Sequence, residues 1–328
     1  MSIIFFDLEG PLVTQDNAYE LMKLFPNGDK IFKSISRYDD MLTLENRPGY
    51  EPGDTLALIA PFLVYHKIKE SDIVALAKQA ALVKGATQLI SLLKEHAWHI
   101  FCISTSYEQY ALHIAQRLGI SSQNVACTAF SLDEIVETLC KDEFPCLQKI
   151  EGDLLNIQTA GDDEIKQILD RFYWNILSGT SMKIIFEQVK PMGGQRKVEA
   201  LKRFAQEHKE LLSNCVVIGD SITDSKMLQT IDQASGLAIA FNANEYALPY
   251  ATMGLASTRL DDLWPVLETW EKGRRQAVQK LIDKGKIGKK TNENGYLHWL
   301  SDTKNVAEYL PLHRRFRSIV RKDAARLG

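Results

Sequence analysis

The hydrophobic positions of this 328-residue chain fall into two patterns. Short uninterrupted apolar runs recur at 3–6 (IIFF), 99–104 (HIFCIS), 124–129 (NVACTA), 215–219 (CVVIG) and 236–241 (GLAIAF). Continuous apolar character, rather than alternation, predicts strands of a parallel sheet covered on both faces. Between these runs the apolar residues take helical spacing over 85–96, 106–119 and 196–212. Strand and helix alternate, which predicts an α/β fold with a Rossmann-like, doubly wound parallel sheet.

Three segments break the alternation. Residues 15–82 follow the first strand directly and are predicted to be mostly helical. Residues 131–182 are acidic and helical in pattern, with DEIVETL and DDEIKQILDRFYWNIL. Residues 265–328 read as helical and basic. The expected organisation is a core formed by 1–14, 83–130 and 183–264, and a helical cap at 15–82. The acidic insertion at 131–182 could form a second cap, and 265–328 forms a basic helical C-terminal extension. In such sheets ligands bind in the crevice at the carboxyl ends of the strands, where insertions act as lids.

Composition sharpens this picture in two places. The hydrophobic fraction of 45% and the charged fraction of 25% are those of an ordinary water-soluble protein. The net charge of −3 hides an asymmetry: residues 271–328 hold 15 Lys/Arg against 6 Asp/Glu, and the first 270 hold 24 against 36. Tyr296, Leu297, Trp299, Leu300, Val306, Leu310 and Leu312 make the basic segment too apolar for a solvated arm, so it is expected to pack on the acidic body. The five cysteines, at 102, 127, 140, 146 and 215, show no C-x-x-C spacing, and the seven histidines match no metal-site spacing. Reduced thiols and a cytoplasmic location are expected. No apolar stretch is long enough to span a membrane, and no membrane or nucleic-acid partner is expected.

The candidate chemistry lies at the strand ends. Asp7 and Glu9 follow the first run. Ser104, Thr105 and Ser106 follow the second. Lys197 opens a helix after VKPMGGQR, and Gly219-Asp220-Ser221-Ile222-Thr223-Asp224 closes the fourth run. Parallel strands bring these tips side by side. Carboxylates, a hydroxyl and an ammonium in one pocket suit phosphoryl transfer through an aspartyl-phosphate. A divalent cation with carboxylate ligands would neutralise the clustered charge. A second carboxylate two residues from the first can move protons. Alternatives stay open: Lys190 for Lys197, Thr105 for Ser104, and an N-cap role for Asp16.

FFDLEGPL, FCIST, the lysine of GGQRKVEAL and VVIGDSITDSKML resemble the four ordered motifs of the haloacid dehalogenase superfamily, in its phosphoserine-phosphatase-like branch. The likeness extends through LVKGATQLISLLKEH and GLAIAFNANEYA. It implies Asp7 as nucleophile and Glu9 as general acid/base and backbone-carbonyl metal ligand. Ser104 becomes the phosphate-binding hydroxyl and Lys197 the steadying ammonium. Asp7, Asp220 and Asp224 become Mg²⁺ ligands, and Asp16 an acidic neighbour of the substrate. Pro11 stands where the family usually has Thr, and Thr105 and Ser106 replace glycines. The implied function is a Mg²⁺-dependent phosphatase acting on a small phosphorylated metabolite. A phosphotransferase using the same intermediate, or a non-catalytic binding module with a basic tail, are the rival readings. Every candidate site residue lies before residue 225.

Overall fold

The computed structural model describes residues 2–138, 144–180, 182–284, 289–291, 295–301 and 306–326. Cys140 lies outside the described residues; Cys102, Cys127, Cys146 and Cys215 form no disulfide.

Six strands form the parallel sheet: β1 (Ile3–Phe6), β2 (His99–Tyr107), β3 (Val125–Thr128), β4 (Cys215–Gly219), β5 (Leu237–Phe241) and β6 (Met253–Ala256). Two more, β7 (Lys289–Thr291) and β8 (Gly295–Trp299), extend it antiparallel beyond β6. The order is β3-β2-β1-β4-β5-β6-β8-β7. This is the expected doubly wound α/β sheet with helices around it.

Side chains of a strand point alternately to opposite faces, and here both faces are dry. Ile4 and Phe6 of β1 join one apolar cluster with Cys102, Ile218 and Ile239. Ile3 and Phe5 join the other with Phe101, Val217 and Ala238. That double burial is why the strands read as continuous apolar runs.

The long helical segment after β1 sits over the carboxyl ends of the strands. Its helix Gly28–Leu44 buries Ile31, Phe32, Ile35, Tyr38 and Leu42 along one stripe. The insertion docks on this layer rather than on the sheet: Tyr38 Oη bonds Asp170 Oδ1 at 2.5 Å, and Arg47 pairs with Asp170 at 2.9 Å. The two helical segments therefore form one layer.

The C-terminal region departs from expectation. Its pattern predicts helix, yet β8 pairs with β6 from Met253↔Trp299 to Ala256↔Tyr296. Leu297, Trp299 and Leu300 are buried. Chain reversal after β6 lets this segment cover the sheet edge, which would otherwise expose unpaired backbone groups. Helix Val306–Arg321 then returns to the strand ends. No described helix is long and apolar enough to cross a membrane.

Candidate active site

The strand order reverses between β1 and β4: β2 and β3 extend one way from β1, β5 and β6 the other from β4. The crevice at that switch point is the geometric place for a ligand. Asp7 sits there, one residue past β1, its N–H bonded to Ile218 O of β4 at 2.9 Å. Asp220 follows β4 directly.

Lys197 enters from the first turn of helix Gln195–Glu207. It is fully buried, and its Nζ donates to Asp7 Oδ1 and to Asp224 Oδ1, each at 2.7 Å. Lys190, the competing lysine, is exposed. Burial works against the ammonium, but the carboxylates of Asp224 and Asp7 outweigh it and raise its pKa. The pKa of the Asp7 carboxyl also rises, which here favours the neutral form. Burial and the neighbouring Asp224 push it up to about 7, against the pull of Lys197.

Asp224 Oδ2 accepts from the N–H groups of Asp220 and Ser221, at 3.0 and 3.1 Å. This closes the turn after β4 and holds both carboxylates in place. Asp7, Asp220 and Asp224 offer oxygens that lie within 4.8 Å of one another. Asp220 Oδ1 is buried without a hydrogen-bond partner among the described residues. Buried carboxylate oxygens are rarely left so, and one set among other carboxylates suits a cation. The residues present fit a divalent metal.

The glycine of D-x-E-G has a steric cause. Gly10 has φ +99°, and a Cβ there would lie 2.2 Å from Asp220 Oδ2. The loop after β1 can pass the β4 carboxylate only without a side chain. The PMGGQ turn likewise lies against the cap: a Cβ on Gly193 would meet Pro52 O at 1.9 Å. It is a turn leading to Lys197.

Glu9 lines a cavity with Asp7, Asp16, Thr105, Ser106 and Thr223, roofed by Phe32 and Leu56 of the helical layer. Its Oε1 accepts from Asn17 N at 3.1 Å and from the Ser106 hydroxyl. Burial, then the Asp16 carboxylate, push it up to about 8. Asp16 takes up the N-cap alternative. It caps helix Asn17–Met22 by accepting from Tyr19 N at 2.8 Å, and it borders the cavity.

β2 runs three residues past its expected end, so Ser104, Thr105 and Ser106 are strand residues. Thr105 and Ser106 line the cavity; Ser104 is fully buried and accepts from Ser106 N at 3.1 Å. Thr105 donates to Met192 O at 3.2 Å.

Two site residues escaped the sequence reading. Arg317 and Arg321, from the C-terminal helix, both donate to Asp220 Oδ2, Arg321 at 2.9 Å. Their spacing of four puts them on one helix face, which was the available signal. Nothing in the sequence said where that face docks. The acidic insertion contributes no described residue to the cavity.

No protein-family model and no curated protein matches the chain. Solved structures do. A gene product from Archaeoglobus fulgidus shares 28% identity and a TM-score of 0.83, over 100% of this chain and 99% of that one. A phosphoserine phosphatase in a phospho-aspartyl intermediate analogue form is 17% identical, with a TM-score of 0.53, over 80% of this chain and 97% of its own. A substrate-bound phosphoserine phosphatase complex is 16% identical, with a TM-score of 0.52, over 80% and 97%. At these identities the phosphatases speak to the fold. The chain has a haloacid-dehalogenase-like, Rossmann-type α/β fold, the fold of the phosphoserine phosphatases to which it is similar.

Proposed function

We propose that this protein is a Mg²⁺-dependent phosphatase that hydrolyses a small phosphomonoester through an aspartyl-phosphate on Asp7. The observation that carries the reading is the buried contact of Lys197 with Asp7 and Asp224 beside the unpartnered Asp220 Oδ1. A nucleophilic carboxylate, a fixed ammonium and a cation-ready cluster meet at the switch point of the sheet.

The residues divide the work as follows. An Asp7 oxygen attacks phosphorus and the bond to the leaving oxygen breaks. Glu9, raised to about 8, is largely protonated at neutral pH and gives its proton to that oxygen. Water then attacks phosphorus, Glu9 takes the water's proton, and phosphate leaves Asp7 free. Lys197 steadies Asp7 and meets the phosphoryl charge. Hydroxyls come from the end of β2, where Ser104, Thr105 and Ser106 follow one another. Asp7, Asp220, Asp224 and the Glu9 carbonyl would hold Mg²⁺, which supplies charge neutralisation and Lewis acidity when bound. The helical roof restricts the substrate to a small molecule.

The test is a screen of phosphorylated metabolites with Mg²⁺ and with EDTA, scoring released phosphate. Turnover should require Mg²⁺ and vanish in Asp7→Asn, which keeps the side-chain shape but cannot attack. About a tenth of wild-type turnover surviving in folded Asp7→Asn would remove Asp7 as nucleophile.

A further inference from the structure

Arg317 and Arg321 come from helix Val306–Arg321, outside the parallel core that carries the other site residues. Both are buried, with 3% and 4% of the side chain exposed. A guanidinium brings five donors, and burying one without acceptors is costly. The two arginines spend their donors differently. Arg317 bonds the Asp220 carbonyl at 3.2 Å, the Asp220 carboxylate, and Ala325 O at 3.1 Å. Its donors are committed to fixing Asp220 and the C-terminal turn.

Arg321 has one acceptor among the described residues, Asp220 Oδ2. Its Nε is buried without a partner among the described residues. The side chain lines the cavity beside Glu9 and Asp16. Both arginines use the same oxygen of Asp220, and Oδ1 stays clear. The guanidiniums and a metal can therefore share this carboxylate instead of competing for it.

We propose that Arg321 is a substrate-binding residue, which takes a second anionic group carried on the leaving-group side of the phosphomonoester. Arg317 is a positioning residue behind it. The proposal rests on the phosphatase reading, because Glu9 defines the leaving-group side. Planar, fork-shaped recognition of a carboxylate or phosphate is the chemistry of a buried guanidinium with donors to spare.

Three probes separate the possibilities: ethyl phosphate, with a neutral leaving group; phosphoglycolate, which adds a carboxylate; and ethylene glycol bisphosphate, which adds a phosphate. The wild type should prefer one of the two probes that carry a second anionic group over ethyl phosphate, and which one names the second anion. Arg321→Gln should lower that preference, as a ratio of kcat/KM, by about tenfold or more, chiefly through KM. Arg321→Lys should recover part of it. Melting temperature of each variant checks folding. If the wild type hydrolyses none of the three, the phosphatase reading has failed at these probes. Calorimetric binding of phosphoglycolate and of the bisphosphate to the full chain, with arginine and with glutamine at 321, then tests the arginine alone. An unchanged preference or affinity in folded Arg321→Gln overturns the proposal. So does Arg321→Gln that binds Mn²⁺ more tightly and turns over faster, which would make the arginine a competitor of the metal.

Discussion

At the scale of residues, the site is a problem in burying like charges. Asp7, Asp220 and Asp224 are all buried, and Lys197 bridges the first and third. Removing the ammonium leaves two buried carboxylates without their cation. Lys197→Met should therefore cost stability of about 3–5 kcal/mol as well as activity, read by urea unfolding. An unfolding midpoint equal to wild type would show that the carboxylates do not depend on Lys197. Gly10→Ala tests the steric reading. Its Cβ falls on Asp220 Oδ2 and its φ is unfavourable for alanine, so about 1–3 kcal/mol of destabilisation and a loss of turnover are expected together. Wild-type turnover and melting in that variant would mean the loop moves aside at no cost. The carboxylates, the lysine and the glycine were all legible, because each follows an apolar run or opens an amphipathic pattern. That Thr105 and Ser106 face the cavity while Ser104 is buried was not legible. It depends on β2 continuing to Tyr107, and SerThrSer gives no apolar signal to mark that.

At the scale of elements, the sequence showed the buried parallel strands clearly and the edge strands poorly. IIFF and CVVIG carry enough apolar residues to declare themselves. MGLA at β6 is four residues long, and its glycine and alanine dilute the signal. YLHWL was absorbed into a helical reading because its partner, β6, lies about forty residues upstream, and pairing leaves no local mark. The same edge holds a buried histidine pair. His313 Nδ1 accepts from Ala243 N at 2.9 Å, so its proton sits on Nε2 and is donated to His298 Nε2 at 2.8 Å. A proton added at His298 Nε2 would break this bond, and one added at His313 Nδ1 would break the bond from Ala243 N. Burial lowers both pKa values, that of His298 to about 3. A lowered histidine contributes stability that is full above its unfolded pKa of 6.5 and is lost as pH falls towards the folded value. Each such group costs about 1.4 kcal/mol per pH unit in that window. His298→Phe should therefore lose less stability than wild type between pH 6.5 and pH 4, measured by urea unfolding. Parallel losses would show that the pair does not set the response.

At the scale of the whole molecule, the chain is an acidic body closed by its own basic end. The opposite charges of the two parts were plain in the sequence. So was the apolar content that made a free arm implausible. The structure shows where the positive charge goes. Arg275 pairs with Asp232 and Arg314 with Glu245, each at 2.8 Å, and Arg317 and Arg321 reach Asp220. Deleting residues 271–328 would remove β7, β8, the buried side chains of Leu297, Trp299 and Leu300, at about 1.5–3 kcal/mol each, and the two arginines that bond Asp220. Both melting temperature and turnover should fall. A truncated protein with full turnover would place the arginines outside the working site. That Arg317 and Arg321 reach Asp220 was not legible for a physical reason: a helix docked through tertiary contacts has no signature in local pattern. Asp7 is the residue on which the proposed chemistry turns. The direct measurement is borohydride reduction of the protein during turnover of the best substrate from the screen, followed by peptide mass spectrometry. A phosphorylated carboxylate is reduced to an alcohol and a free one is not. Reduction is expected at Asp7, dependent on substrate and absent in Asp7→Asn. Reduction at another carboxylate, or steady turnover with Asp7 never modified, would contradict it.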